Sequence, residues 1–266
     1  MMSGKKSLFS FLKKFFKKIR SFFVKRENWI DFSGSCIGGY HVQKNMPNQD
    51  SFLTEHHSGI SLAVVCDGLG SKKFSHIGSS ALTKAVKKAV IEKIESVDFD
   101  DLALLEKQIL KFYLEGIKPY EFEDCLSTLL IAIVLKNQII IGRVGDGMIM
   151  LLGKQNQILE ESKIGEKNKT IPFGYGSITW SIYKTQDVES IFLCSDGISE
   201  ELENNQKIGF VQALMQEYQD KSKQEAEQDI NQWLKDYPPP TPNNKYGNKY
   251  SDDKTFVLLL KRGHHG

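Results

Sequence analysis

The chain has 266 residues, 40% hydrophobic and 26% charged, a balance that excludes an intrinsically disordered chain and fits a soluble globular protein of one large or two small domains. Its net charge of +2 averages two unlike regions: residues 1–26 hold nine of the 35 Lys/Arg and no acid, while the remainder carries 26 bases against 33 acids. A strongly basic end therefore precedes an acidic body of net charge −7.

Between Leu8 and Phe23, nine apolar residues, six of them Phe, fall within an arc of about 160° at about 100° per residue, with Lys and Ser opposite. This predicts a basic amphipathic helix within residues 1–30, ahead of a body at 31–263. Lys13-Lys14 and Lys17-Lys18 interrupt the apolar core that a signal peptide needs. No apolar stretch reaches the roughly 18 residues that span a bilayer. Four separated cysteines without a CxxC pair point to a reducing, cytoplasmic setting, with Cys66 and Cys194 packed as small hydrophobes. Residues 5–26, with Phe and Leu on one side and Lys on the other, suit an anionic membrane at its inner face, or a partner protein. A charge confined to one Phe-rich helix argues against nucleic acid.

The body begins near Ser33. ISLAVVC (60–66) reads as a strand, followed by helices at 77–95 and 100–115, the second capped by Asp98 or Asp100. Within 126–152, two β-branched runs flank Lys136-Asn137-Gln138 and a third follows a Gly-Asp-Gly step, which predicts an antiparallel meander. Residues 153–177 are polar and Gly-containing and read as a flap. Strands are expected at 178–183 and 188–195, helices at 207–218 and 222–235, irregular chain at 237–250 and a last strand at 255–260. More strands than helices, joined by hairpins, predict an α+β sandwich of sheets covered by helices.

Three apolar runs end alike: AVVCDG (63–68), GRVGDG (142–147) and FLCSDG (192–197). Asp252-Asp253 stands just before TFVLLL (255–260), and a Gln-Asp step occupies 49–50. A strand that stops at Asp-Gly sets a carboxylate at a sheet edge and lets the backbone turn closely around it. One such ending is ordinarily turn chemistry. Its recurrence far apart in sequence points to carboxylates gathered around hard divalent cations. With no His or Cys ligand motif beside them, Mg²⁺ or Mn²⁺ fits better than Zn²⁺.

The order QDSF (49–52), AVVCDGLG (63–70), LST (126–128), VGDG (144–147), LCSDGIS (193–199) and SDDKT (251–255) resembles the metal-dependent serine/threonine protein phosphatases of type 2C, the PPM family. The likeness spans about residues 33–261 and is greatest to the bacterial branch with a Gln-Asp first motif. It implies a four-layer αββα sandwich, two antiparallel sheets flanked by helices. It also implies that Asp67 bridges two metal ions, that the Gly68 carbonyl joins the second, and that Asp196 and Asp252 bind the first. Asp50 would support the site through its waters, Asp146 with Asp196 would form a weaker third site, and Ser127-Thr128 matches a small polar motif nearby. The implied reaction is hydrolysis of phosphoserine and phosphothreonine in a phosphorylated protein, by water activated between two Mg²⁺ or Mn²⁺ ions. Neither Cys66 nor Cys194 is then needed as a nucleophile.

Two positions depart from that pattern. Asn45 stands where many relatives carry a phosphate-gripping Arg; Lys44 is the nearest cation, a point charge without the bidentate fork. Leu69 stands where many carry a His proposed as general acid, and His41 or His76 is the candidate replacement. Asp50, Lys44 and His41 are thus the candidate catalytic residues. The two losses leave open a catalytically weak pseudophosphatase acting as a regulatory binding module, and a phosphatase for small phosphorylated molecules.

Overall fold

A computed structural model describes residues 29–96, 99, 101–161, 170–238 and 247–262. The expected basic helix and part of the expected flap lie outside the described residues. In chain order the elements are β1 (Trp29–Cys36), α1 (Gly39–Lys44), β2 (Asp50–His57), β3 (Ile60–Asp67), α2 (Ser75–Ser96), α3 (Leu102–Gly116), β4 (Leu129–Val134), β5 (Gln138–Val144), β6 (Met148–Gly153) and β7 (Ile158–Glu161). There follow β8 (Thr179–Lys184), β9 (Val188–Cys194), α4 (Asp196–Ser199), α5 (Lys207–Tyr218), α6 (Lys223–Asp236) and β10 (Lys254–Lys261). The strands form two five-stranded sheets, ordered β1-β10-β9-β6-β7 and β2-β3-β4-β5-β8, with antiparallel pairing throughout.

The α+β sandwich expected from the strand pattern is present, and its four layers follow from side-chain alternation. In β3 and β4, Leu62, Val64, Cys66, Leu129, Ile131 and Ile133 pack under α2 and α3, while Ala63, Val65, Leu130 and Ala132 face the other sheet. In β6, β9 and β10, Met148, Met150, Phe192, Phe256 and Leu258 pack under α5 and α6, while Ile149, Leu151, Ile191, Leu193, Val257 and Leu259 face inwards. Both faces of the central strands are covered, so those strands read as continuous apolar runs instead of alternating with polar residues.

Several elements differ from expectation. β1 starts at Trp29 and pairs with β10 from Trp29↔Lys261 to Cys36↔Lys254, so this strand spans the expected 30/31 boundary. β2 and α1 were not legible as elements. Within the expected flap, Ile158–Glu161 is instead an edge strand paired with β6, because Ile158 and Glu161 find backbone partners at Leu152 and Met150. The N-cap of α3 is Asp101, not Asp98 or Asp100: its carboxylate accepts the Leu104 N–H at 2.8 Å. α6 opens on a capping box between Ser222 and Glu225. The cysteines are free thiols, with Cys66, Cys125 and Cys194 buried, and burial pushes the Cys66 and Cys194 thiols up. No described helix is long and apolar enough to cross a membrane.

One buried carboxylate ties the two sheets to a helix. Asp31 of β1, only 3% exposed, accepts from His56 Nε2 at 2.7 Å and Thr54 Oγ1 at 2.9 Å, both on β2, and from Lys223 Nζ at 2.8 Å, on α6. Burial raises its pKa, but the His56, Lys223 and Thr54 hydrogen bonds outweigh burial and hold it well below the usual carboxylate range. A carboxyl whose pKa is lowered on folding contributes stability above its unfolded value and loses it as pH falls through the lower folded value. Asp31→Ala is therefore expected to lower the urea-unfolding free energy at pH 7 by about 2 kcal/mol, with the difference from wild type shrinking below about pH 4. The figure lies below that of a fully enclosed pair because His56 and Lys223 are themselves 40% and 52% exposed.

Candidate metal centre

The strand registers bring the Asp-Gly endings to one end of the sandwich. Asp50 opens β2 opposite Asp67 at the end of β3. Val144, ending β5, lies opposite Leu129, and Cys194, ending β9, lies between Met148 and Phe256. Each following loop therefore emerges on the same side.

The backbone of Asp67 is fixed by the Ser127-Thr128 step. Its carbonyl accepts the Ser127 hydroxyl and the Thr128 N–H, each at 2.8 Å, and its N–H donates to Thr128 Oγ1 at 3.0 Å. Gly68 is required next to it, since a Cβ there would lie 2.7 Å from the Ser75 carbonyl and 2.8 Å from that of Gln49. Asp146 sits between Gly145 (φ +90°) and Gly147 (φ +88°), in a turn that carries the chain from β5 of one sheet to β6 of the other. Thr170 donates its hydroxyl to Asp146 Oδ2. Asp196 begins α4, and the Asp253 carbonyl crosses so closely that a Cβ on Gly197 would lie 2.0 Å from it.

Carboxylate oxygens of Asp67, Asp146 and Asp196 lie within 4.8 Å of one another. Burial raises Asp67, and the charges of Asp196, Asp50 and Asp252 raise it further. Burial pushes Asp196 up to about 7; a hydrogen bond with Asp67 opposes this, and Asp146, Asp252 and Glu200 add to it. Asp50, 9% exposed, is raised by burial although Ser195 Oγ donates to its Oδ2 at 2.6 Å. Carboxylates held together at this cost in repulsion, offering oxygen donors alone, fit a hard divalent cation, whose charge reverses the sign of their interaction.

The structure sets Asp252 in a second group. Asp252, 59% exposed, lies with the buried Asp253 and His41, again with ligand atoms within 4.8 Å. Its charge still acts on both Asp67 and Asp196. His41 is buried at 4% exposure, and Lys44, exposed at the end of α1, stands over the Tyr40 ring at 6.0 Å. Asn45 is the left-handed C-cap of α1 (φ 53°), and Leu69 donates its N–H to the Leu126 carbonyl at 3.0 Å. His76 lines a groove of about 540 Å³ between α2 and α3 with Lys84, Lys88 and Glu115.

Sequence reading missed two supporting residues. Ser195 holds Asp50 and also accepts the Thr255 N–H at 3.0 Å, which joins the start of β10 to the end of β9. Its signal was its place directly before Asp196. Thr170 had no signal, since its partner Asp146 lies 24 residues away.

The fold is thus a two-sheet sandwich with a carboxylate centre suited to a divalent cation at one end. The sequence profile described as Protein phosphatase 2C matches residues 37–235, and the chain belongs to that family. It is accordingly a serine/threonine phosphoprotein phosphatase. Among solved structures, a bacterial serine phosphatase is 17% identical, covering 90% of this chain and 100% of that one, with a TM-score of 0.64. Serine/threonine phosphatase Stp1 from Staphylococcus aureus is 18% identical over 89% and 96% of the two chains, with a TM-score of 0.61. RsbX in complex with magnesium is 15% identical over 89% and 97%, with a TM-score of 0.55. These likenesses speak for the fold. No curated protein sequence matches the chain.

Proposed function

We propose that the chain dephosphorylates phosphoserine and phosphothreonine in a protein substrate at a centre of two Mg²⁺ or Mn²⁺ ions, with a weaker third, held by Asp67, Asp146, Asp196, Asp252 and the Gly68 carbonyl. The observation that carries this reading is the set of three carboxylates within 4.8 Å, one of them pushed up to about 7. When bound, such ions lower the pKa of water and neutralise phosphoryl charge. The protein's own part is to fix the ligands before the ions arrive. Ser127 and Thr128 lock the Asp67 backbone, Thr170 restrains Asp146, and Ser195 holds Asp50 at the floor of the site, where it orients water. Lys44, exposed at the end of α1, is the cation nearest in sequence to the usual phosphate-gripping position and is the proposed point charge for the phosphate.

Phosphate release from a phosphothreonine peptide tests the proposal. Turnover is expected with Mn²⁺ or Mg²⁺ and none with EDTA; a rate indifferent to chelation would remove the metal from the reaction. The gathered ligands favour an enzyme over a binding module despite Asn45 and Leu69. A protein substrate is preferred over a small phosphorylated molecule on the ground of family.

Residues 5–26 lie ahead of the matched region and are proposed to attach the enzyme to an anionic membrane at its cytoplasmic face, on the pattern of Phe against Lys. Full-length protein should co-sediment with vesicles containing phosphatidylserine and remain in solution with purely zwitterionic ones. Equal partition of a variant lacking residues 1–26 would transfer the role to the body or to a partner protein.

A further inference from the structure

We infer that His41 is a positioning residue for Asp252, acting through the Asp252-Asp253 pair and not on the substrate. This rests on the placement of Asp252 among the metal-holding carboxylates proposed above. One imidazole faces both acids: Nδ1 stands 2.8 Å from Asp253 Oδ2 and Nε2 stands 3.8 Å from Asp252 Oδ1. The first contact is at ion-pair distance but off the line of a good hydrogen bond.

Asp253 is a fixed point. It is 2% exposed, and its two oxygens accept the Gly38 N–H at 2.7 Å and the Gln49 N–H at 2.6 Å. It thereby joins the entry to α1, the Gln49-Asp50 step and the start of β10. Asp252 has less support. Its side chain is 59% exposed, and Oδ1 accepts the backbone N–H of Asp253 at 2.8 Å. A ligand so exposed loses side-chain freedom when it binds a cation, and a neighbour that limits its rotamers beforehand reduces that loss.

His41 is built into that position. A Cβ on Gly38 would lie 2.2 Å from the Asp252 carbonyl carbon, and one on Gly39 would lie 2.0 Å from the Asn248 carbonyl oxygen, so α1 is pressed against the segment that carries Asp252. The side chain itself is 5% exposed. A proton donor to a leaving group must reach that group directly or through one water. An enclosed ring facing two carboxylates is arranged to hold ligands.

The test titrates Mn²⁺ alone, by calorimetry, into wild type, His41→Leu, His41→Asn and Asp252→Asn. Melts of the metal-free proteins check folding, and kcat/KM is measured with p-nitrophenyl phosphate and a phosphothreonine peptide. His41→Leu fills the space without a polar edge and is expected to weaken Mn²⁺ binding about 10–100-fold. His41→Asn reaches Asp253 but is too short for Asp252; it keeps the fold and is expected to lose about tenfold, which preserves the test if the Leu variant does not fold. Activity should fall equally on both substrates. Mn²⁺ affinity within about twofold of wild type in the folded variants overturns the inference. So does a loss confined to the phosphothreonine peptide, whose poor leaving group depends on a proton donor. If Asp252→Asn also binds Mn²⁺ as wild type does, the fault lies in the metal assignment and not in His41.

Discussion

Asp67→Asn and Asp196→Asn are each expected to lower Mn²⁺-dependent kcat/KM on a phosphothreonine peptide by about a thousandfold. Each substitution keeps the side chain's size and removes the charge that draws a cation to the centre. Lewis-acid stabilisation of a phosphoryl transition state is worth several kcal/mol, and about 4 kcal/mol corresponds to roughly three powers of ten in rate. Asp146→Asn should cost less, because Asp146 is assigned to the weaker outer ion. Residual activity within tenfold of wild type in both Asp67→Asn and Asp196→Asn would show that the cluster is not the reaction centre.

The same carboxylates should make the metal-free enzyme less stable as pH rises. Asp196 is pushed from 3.8 to about 7, and Asp67 and Asp50 also move upwards. A carboxyl whose pKa is raised on folding binds protons better in the native state, so stability falls as pH climbs from the unfolded value through the folded one. For Asp196 the window runs from about pH 4 to about pH 7. A shift of about three units corresponds to roughly 4 kcal/mol, halved here to about 2 kcal/mol because the side chain is partly exposed. Metal-free Asp196→Asn should therefore melt about 4–8 °C above metal-free wild type at pH 7.5. Mn²⁺ should raise the wild-type melting temperature, by about 2.7 kcal/mol of linkage at a hundred times its dissociation constant, and raise that of the variant far less. A metal-free Asp196→Asn that melts below wild type would show that the acids are not in repulsion.

Much of this site was legible because Asp-Gly steps report local backbone needs. The positive φ angles of Gly145 and Gly147 are requirements that a sequence displays directly, whereas the lack of space for a Cβ at Gly68 and Gly197 comes from Gln49, Ser75 and Asp253 brought close by the fold. The layered fold was legible for a similar reason: strands covered on both faces must be apolar throughout, as β4 and β6 are. β1 and β2 escaped notice because each contains polar residues with tertiary partners. Asp31 and His56 interrupt the apolar pattern of two strands, yet they bond to each other across the sheets. The strand inside the expected flap was hidden because its partner, β6, supplies the ladder while its own run, Ile158–Glu161, is only four residues long and half acidic.

By itself, then, the sequence determined a sandwich of sheets covered by helices and the inventory of acids at strand ends, because periodicity and turn chemistry act over a few residues; the family and its four-layer order came through the resemblance of the ordered motifs. Only the tertiary structure decided how those acids are grouped. It set Asp146 beside Asp67 and Asp196, set Asp252 with Asp253 and His41, and brought Ser195 to Asp50 across 145 residues. Such meetings depend on sheet register and on the close approach of loops, which no short window of sequence encodes. The assignment of His41 follows from that difference: the chain shows a histidine near the first motif, and the fold turns its ring toward the two carboxylates.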